Sequence, residues 1–200
     1  MVSKNSVIRV DISDDEMGYC IENAMFLSKT MKDRSDLHLR SYMERYINIL
    51  MGEVAEQAVI KWIKGNGKFA VSAVDKKSGK PDLGHDIILK NREQKEILCS
   101  VKSSLSVYKS DVDEILNNFT VASKKSEIRK VNIQVYYWLC LKGNNDYRIT
   151  VPSSNNMAII GWVGENDIDK FGSYSTENRE VAEIKLKEIR PMESLLKYLS

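Results

Sequence analysis

Residues 81–104 read PDLGHDIILKNREQKEILCSVKSS, and this stretch constrains the fold more than any other. Two apolar runs, 86–89 and 97–102, flank a charged connection from Lys90 to Glu96. Short apolar runs around a polar turn predict a β-hairpin. The preceding Lys77-Ser-Gly-Lys-Pro segment and Gly84 carry the turn chemistry that leads the chain into it. The first strand opens on an acid, Asp86, and the second ends on Lys102. Paired strands place these two groups near one end of the hairpin. A carboxylate beside an ammonium there is suited to holding a divalent metal and polarising water or a phosphate.

The surroundings predict an α/β fold with a central mixed β-sheet flanked by helices. Ser13-Asp-Asp-Glu16 has the capping-box pattern and opens a helix over 17–31. From Leu39 to about Lys64, Met43, Ile47, Leu50, Val54 and Ala58 recur at helical steps, and Gly65-Asn-Gly67 supplies a stop. Within that helix Glu53 falls at the edge of the apolar stripe, and Glu56 reads as a half-exposed side chain. Residues 68–74 alternate as a strand. Beyond Lys102, Ser110 is the expected N-cap of a helix running through Asn118 or further. Asp111, Asp113 and Glu114 crowd its first turn, as acids do at helix N-termini.

Val131 to Leu141 is the longest apolar β-type run and predicts a strand covered on both faces, with Tyr136, Tyr137 and Trp138 in the core. Strands are also expected at 147–151, 158–163 and 181–189, a helix start at 165–170, a polar loop at 172–178, and a final helix from Met192 to Leu199. Two hundred residues at 42% hydrophobic content suit one domain. It divides into an N-terminal helical arm (1–38), a core (39–170), and a C-terminal strand and helix (171–200).

Three scattered cysteines and two histidines argue against a disulfide frame or a zinc cluster. No apolar stretch spans a bilayer, and the N-terminus lacks a signal-peptide core, so a cytoplasmic protein is expected. A formal net charge of +2 does not announce nucleic-acid binding. The basic residues do concentrate, however, in Lys124, Lys125, Arg129 and Lys130. Such a run is ordinarily a solvated face, and beside a phosphodiester site it would neutralise backbone phosphates.

Pro81-Asp82, Asp86 and Ser100-Val101-Lys102 resemble the signature of the PD-(D/E)XK nuclease superfamily, the fold of many restriction endonucleases. Ser100 stands where that family usually has its second acid. A serine-x-lysine variant within the family takes the missing acid from the following helix, and Glu114, twelve residues after Lys102, is similar in placement. The family also carries a glutamate on its first core helix near a small residue, which Gly52-Glu53 resembles. A strand like Ile160-Gly-Trp162 leading into an acidic turn recurs late in nucleases of this fold.

The resemblance implies a restriction-endonuclease-like core and a magnesium-dependent endodeoxyribonuclease, a type II restriction enzyme that cuts double-stranded DNA as a homodimer. It implies Mg2+ held by Asp86, Glu114 and Glu53, with Asp82 ranked second to Asp86. Lys102 would orient or deprotonate the attacking water, and Ser100 would assist through a hydrogen bond to a metal-bound water. Lys124, Lys125, Arg129 and Lys130 would contact DNA. The same scaffold also serves nucleases of repair, recombination or transposition, and DNA-binding modules without catalysis.

Overall fold

The computed structural model describes residues 1–30, 40–76, 85–107, 109, 111–123, 130–138, 140–142, 146–148, 156–176 and 179–200. In chain order these form α1 (Asp14–Thr30), α2 (Tyr42–Gly65), β1 (Ala70–Ser72), β2 (Ile87–Lys90), β3 (Glu96–Ser106), α3 (Val112–Asn118), β4 (Thr120–Ser123), β5 (Val131–Trp138), β6 (Cys140–Lys142), β7 (Asp146–Arg148), β8 (Met157–Val163), β9 (Gly172–Thr176), β10 (Arg179–Lys185) and α4 (Met192–Tyr198). The protein is α/β, built on a five-stranded mixed sheet in the order β1-β2-β3-β5-β8. No helix among the described residues is long and apolar enough to cross a membrane.

Local chemistry sets the helix starts. Ser13 and Glu16 form the capping box, each side chain accepting from the other's backbone N–H at 3.3 and 2.8 Å. The Ser41 hydroxyl accepts from the Glu44 N–H at 3.2 Å and opens α2. At α3 the cap is Asp111, whose carboxylate accepts from the Asp113 N–H at 2.8 Å. Ser110, expected in that role, lies outside the described residues.

Strand register divides the sheet into two faces. β2 pairs antiparallel with β3, Ile87 opposite Cys99, which is the expected hairpin. β3 then pairs in parallel with β5, setting Cys99 beside Val131, Ser100 beside Asn132 and Lys102 beside Gln134. Successive side chains alternate across a strand. Ile87, Leu89, Cys99, Val131, Ile133, Val135 and Tyr137 therefore pack on one face with Cys20 and Ala24 of α1 and Val54 and Ala58 of α2. On the other face Tyr136, Trp138, Ala158 and Ile160 meet Val112, Ile115 and Leu116 of α3 and Ile184 of β10. Tyr136, Tyr137 and Trp138 are core residues, as their apolar run predicts.

Several details depart from the sequence reading. The expected polar loop at 172–178 holds β9, which pairs antiparallel with β10. Ser, Tyr and Thr accept extended backbone, and an edge strand is held by main-chain bonds with no apolar alternation to announce it. The helix after Asp111 ends at Asn118, as expected, but β4 follows it unannounced, paired with the opposite edge of β10. The expected helix start at 165–170 is a 3-10 helix. Within the apolar run from Val131, Val131–Trp138 lies in the five-stranded sheet, whereas Cys140–Lys142 pairs with β7.

Residues 1–30 are bonded into the core. Ile8 exchanges both backbone hydrogen bonds with Ile159, at 2.8 and 2.9 Å. On the same strand Trp162 exchanges both with Arg190, at 2.9 and 3.0 Å. Gly161 lies between these contacts, and a Cβ there would fall 2.3 Å from the Arg190 carbonyl oxygen and 3.1 Å from Ile189. The Arg190 oxygen is fixed by its bond from Trp162, so the backbone must shift to admit a methyl group. Gly161→Ala is expected to destabilise the fold by about 3 kcal/mol, the upper range for overpacking, read from the urea unfolding midpoint.

Candidate functional site

Asp86 stands immediately before β2 and is held from three sides. Its N–H donates to the Cys99 carbonyl at 2.9 Å, and its own carbonyl accepts from the Ala73 N–H at 2.8 Å. Its carboxylate Oδ2 accepts from the Val101 N–H at 2.7 Å. The carboxylate is thereby fixed against the Ser100–Lys102 segment of β3, as the hairpin requires. Alternation turns Ser100 and Lys102 to the face away from α2, alongside Asn132 and Gln134 of β5. Ser100, Asn132 and Gln134 are buried, whereas Lys102 is exposed. The Gln134 Nε2 is buried without a hydrogen-bond partner.

Glu53 is on α2, which packs against the other face of the sheet. Its side chain is 8% exposed, and Glu56, one turn on, is not half-exposed as expected but 10% exposed. Both are drawn to Lys76, four residues beyond β1. Its Nζ lies 2.6 Å from Glu53 Oε1 and 2.7 Å from Glu56 Oε2. Asn23 of α1 donates its side-chain N–H to Glu53 Oε2 at 3.1 Å, and Ser72 of β1 adds a hydrogen bond to Glu56.

Buried charges are tolerated only when paired and hydrogen-bonded. Burial alone would lower the Lys76 pKa, but the charges of Glu56 and Glu53 outweigh it and hold the ammonium above its ordinary value. Lys76 therefore stays protonated at neutral pH.

The triad lines a pocket of about 250 Å³ with Tyr19, Cys20 and Ser72. Burial, then the charges of Glu53 and Glu56, pushes the Cys20 thiol up to about 12, which leaves it protonated and a poor nucleophile. Cys99 is raised by burial, then by Asp86, then by Glu56. The charges of Asp86 and Glu56 thus both act on Cys99.

Glu114 is placed differently. α3 packs on the face opposite α2, and the half-exposed Glu114 carboxylate pairs with Lys109 at 3.4 Å. The expected helix-borne acids, Glu53 and Glu114, therefore approach the sheet from opposite sides. Asp82, Lys124, Lys125 and Arg129 lie outside the described residues. Lys130, just before β5, lines a second pocket of about 310 Å³ with Trp162, Asp167 and Arg190.

Sequence reasoning missed Lys76 and misread Glu56. The available signal was the three-residue spacing of Glu53 and Glu56, which puts both on one helix face. Their burial follows from α1 covering a second side of α2, which no stripe on α2 alone encodes.

Asp86, Glu53 and Glu56 are the oxygen donors a hard divalent cation takes. They fit such an ion in kind, but Glu53 and Glu56 already hold an ammonium between them. Among the described residues, no three His, Cys, Asp or Glu side chains are grouped to hold a metal ion. The sequence matches no protein-family model and no curated protein.

Proposed function

We propose that this chain is a magnesium-dependent endodeoxyribonuclease with a restriction-endonuclease-like core, acting in the cytoplasm as a type II restriction enzyme and cutting both strands of double-stranded DNA as a homodimer. The observation that carries the reading is the Asp86 carboxylate, held by the Val101 N–H at the strand segment that bears Ser100 and Lys102. Glu56 of α2 adds support, because its charge and that of Asp86 both act on the Cys99 thiol.

In this reading Asp86 would hold Mg2+ together with one helix-borne acid, either Glu53 of α2 or Glu114 of α3, which lie on opposite faces of the sheet. Bound there, Mg2+ would supply a water of lowered pKa and positive charge to offset the negative charge building on the phosphate. Lys102 supplies an amine on a flexible stem, suited as the ammonium to orienting that water and as the neutral amine to taking up its proton. Ser100 offers a hydroxyl to the same water. Lys124, Lys125, Arg129 and Lys130 neutralise backbone phosphates, so DNA binding weakens steeply as salt rises.

Purified chain incubated with supercoiled plasmid and Mg2+ is expected to give discrete fragments, and none in excess EDTA. Glu53→Gln should suppress cutting, and Glu114→Gln measures whether α3 contributes an acid. Salt-sensitive DNA binding with no cutting in either Mg2+ or Mn2+ would sink the nuclease and leave a DNA-binding module.

A further inference from the structure

The turn end of the β2–β3 hairpin, far from Asp86, opens on a pocket of about 490 Å³ between residues 67–69, residues 90–94 and Leu199–Ser200. Lys68, Lys90 and Arg92 line it, and no acidic side chain does. Among the described residues none of these three cations pairs with a carboxylate. Lys68 donates to the Ser200 hydroxyl at 2.7 Å, and the Lys90 ammonium lies 4.7 Å from the centre of the exposed Phe69 ring. The nearest acids in the hairpin are engaged elsewhere. Glu93 pairs with Lys95 at 2.7 Å, and Glu96, opposite Lys90, lines the separate pocket at Trp162. The main-chain carboxylate of Ser200 offsets at most one of the three positive charges.

The turn holds its donors in place. The Asn91 N–H donates to the Lys95 carbonyl at 3.1 Å, and Asn91 Oδ1 accepts from the Lys95 N–H at 3.0 Å, which leaves the side-chain NH2 to donate into the pocket. Gln94 has φ +62°, a left-handed conformation that L side chains rarely take, and strain of this kind gathers at binding sites. Two ammoniums, a guanidinium and an amide are the donors that phosphate oxygens take.

The pocket also shares a face with the candidate site. Ile87 and Leu89 pack toward α2, so alternation turns Asp86, Ile88 and Lys90 to the other face, with Leu98 and Lys102. Leu98 and Lys102 are exposed there, so this strip of the sheet is open. Four residues of strand from Asp86 to Lys90 span about 14 Å, the axial rise of about four base pairs. We propose that the Lys68–Lys90–Arg92 pocket grips the phosphate backbone of duplex DNA, so that the duplex lies along the hairpin from this pocket to Lys102. The inference takes its partner from the DNA reading above, but it concerns binding and needs no cleavage. Contacts of this kind fix orientation and register and read no sequence.

The test is fluorescence anisotropy of a labelled duplex oligonucleotide with the full chain in EDTA, over a series of salt concentrations. Lys90→Gln with Arg92→Gln is expected to weaken binding roughly tenfold at low salt and to lower the slope of log affinity against log salt by about 1.8, two phosphate contacts at about 0.9 each. Should that pair fail to fold, the exposed Arg92→Gln alone should lower the slope by about 0.9. Lys29→Gln with Lys185→Gln removes the same charge from exposed positions elsewhere and should leave the slope nearly unchanged. An equal fall in that control would reduce the effect to overall charge and overturn the site. An unchanged slope in the pocket variant would do the same, as would a chain that binds no duplex at low salt. A mononucleotide bound by the unaltered chain and lost by the pocket variant, with duplex affinity unmoved, would assign the pocket to free nucleotide and overturn the backbone contact. The two readings fail separately. A lowered slope with no plasmid cleavage by the unaltered chain sinks the nuclease alone, and cleavage with an unchanged slope sinks the backbone contact alone.

Discussion

Lys102→Ala should leave the chain folded and lower DNA cleavage by roughly 10²–10⁴-fold, the range for removing a group that moves a proton in the transition state. Lys102 is exposed on β3, so its truncation opens no cavity and the chain should still unfold cooperatively. The backbone beside it is fixed independently, because the Val101 N–H is taken by Asp86 and the strand is paired on both sides. Lys102→Arg should restore little, since a planar guanidinium cannot give up a proton and spreads its charge over a fork. Plasmid cleavage and circular dichroism on the same preparations decide the matter. Cleavage that survives the alanine change, in a chain that still folds, would remove Lys102 from the site.

Asp167→Ala should cost about 3 kcal/mol of stability at neutral pH, the upper end for charge-assisted hydrogen bonds. The Asp167 side chain is 1% exposed. It accepts from Lys170 Nζ at 2.7 Å, from Arg190 Nε at 2.9 Å and from the Gly164 N–H at 3.1 Å. Its loss would strand that buried N–H and loosen Arg190, which also lies over the Trp162 ring at 5.1 Å. Burial alone would raise the Asp167 pKa, but the bonds from Lys170, Arg190 and Gly164 hold it below the ordinary value. A depressed folded-state pKa stabilises fully above the unfolded value of about 3.9 and is lost as pH falls through the folded one. The gap between the two proteins in urea unfolding should therefore hold from neutrality down to about pH 5 and narrow below pH 4. A gap that widened on acidification would contradict the assignment.

The legible parts of the sequence were those written in local chemistry. The 86–102 hairpin carries its own turn and alternation, and the α2 stripe carries its own period and stop, so both are placed within a few residues. The capping box at Ser13 needs only four residues to be seen. What escaped was written between elements. Lys76 follows an unremarkable strand, and nothing near it in sequence says that two acids of α2 will close on it. Glu56 reads as solvent-facing until α1 is laid across α2. β9 and β4 are short edge strands recruited by β10, and their composition is that of a loop. Glu53 and Glu114 have comparable motif support, and only the side of the sheet on which each helix packs separates them.

The twin hydrogen-bonded contacts of β8, with Ile8 and with Arg190, bear on how copies of this chain can associate. An uncovered border strand invites another polypeptide to add itself to the sheet, the usual first step toward intermolecular aggregates. Two stretches of the chain's own backbone already occupy that border. Self-association by sheet extension is thereby discouraged at β8, and a dimer that uses this flank must be joined by side chains.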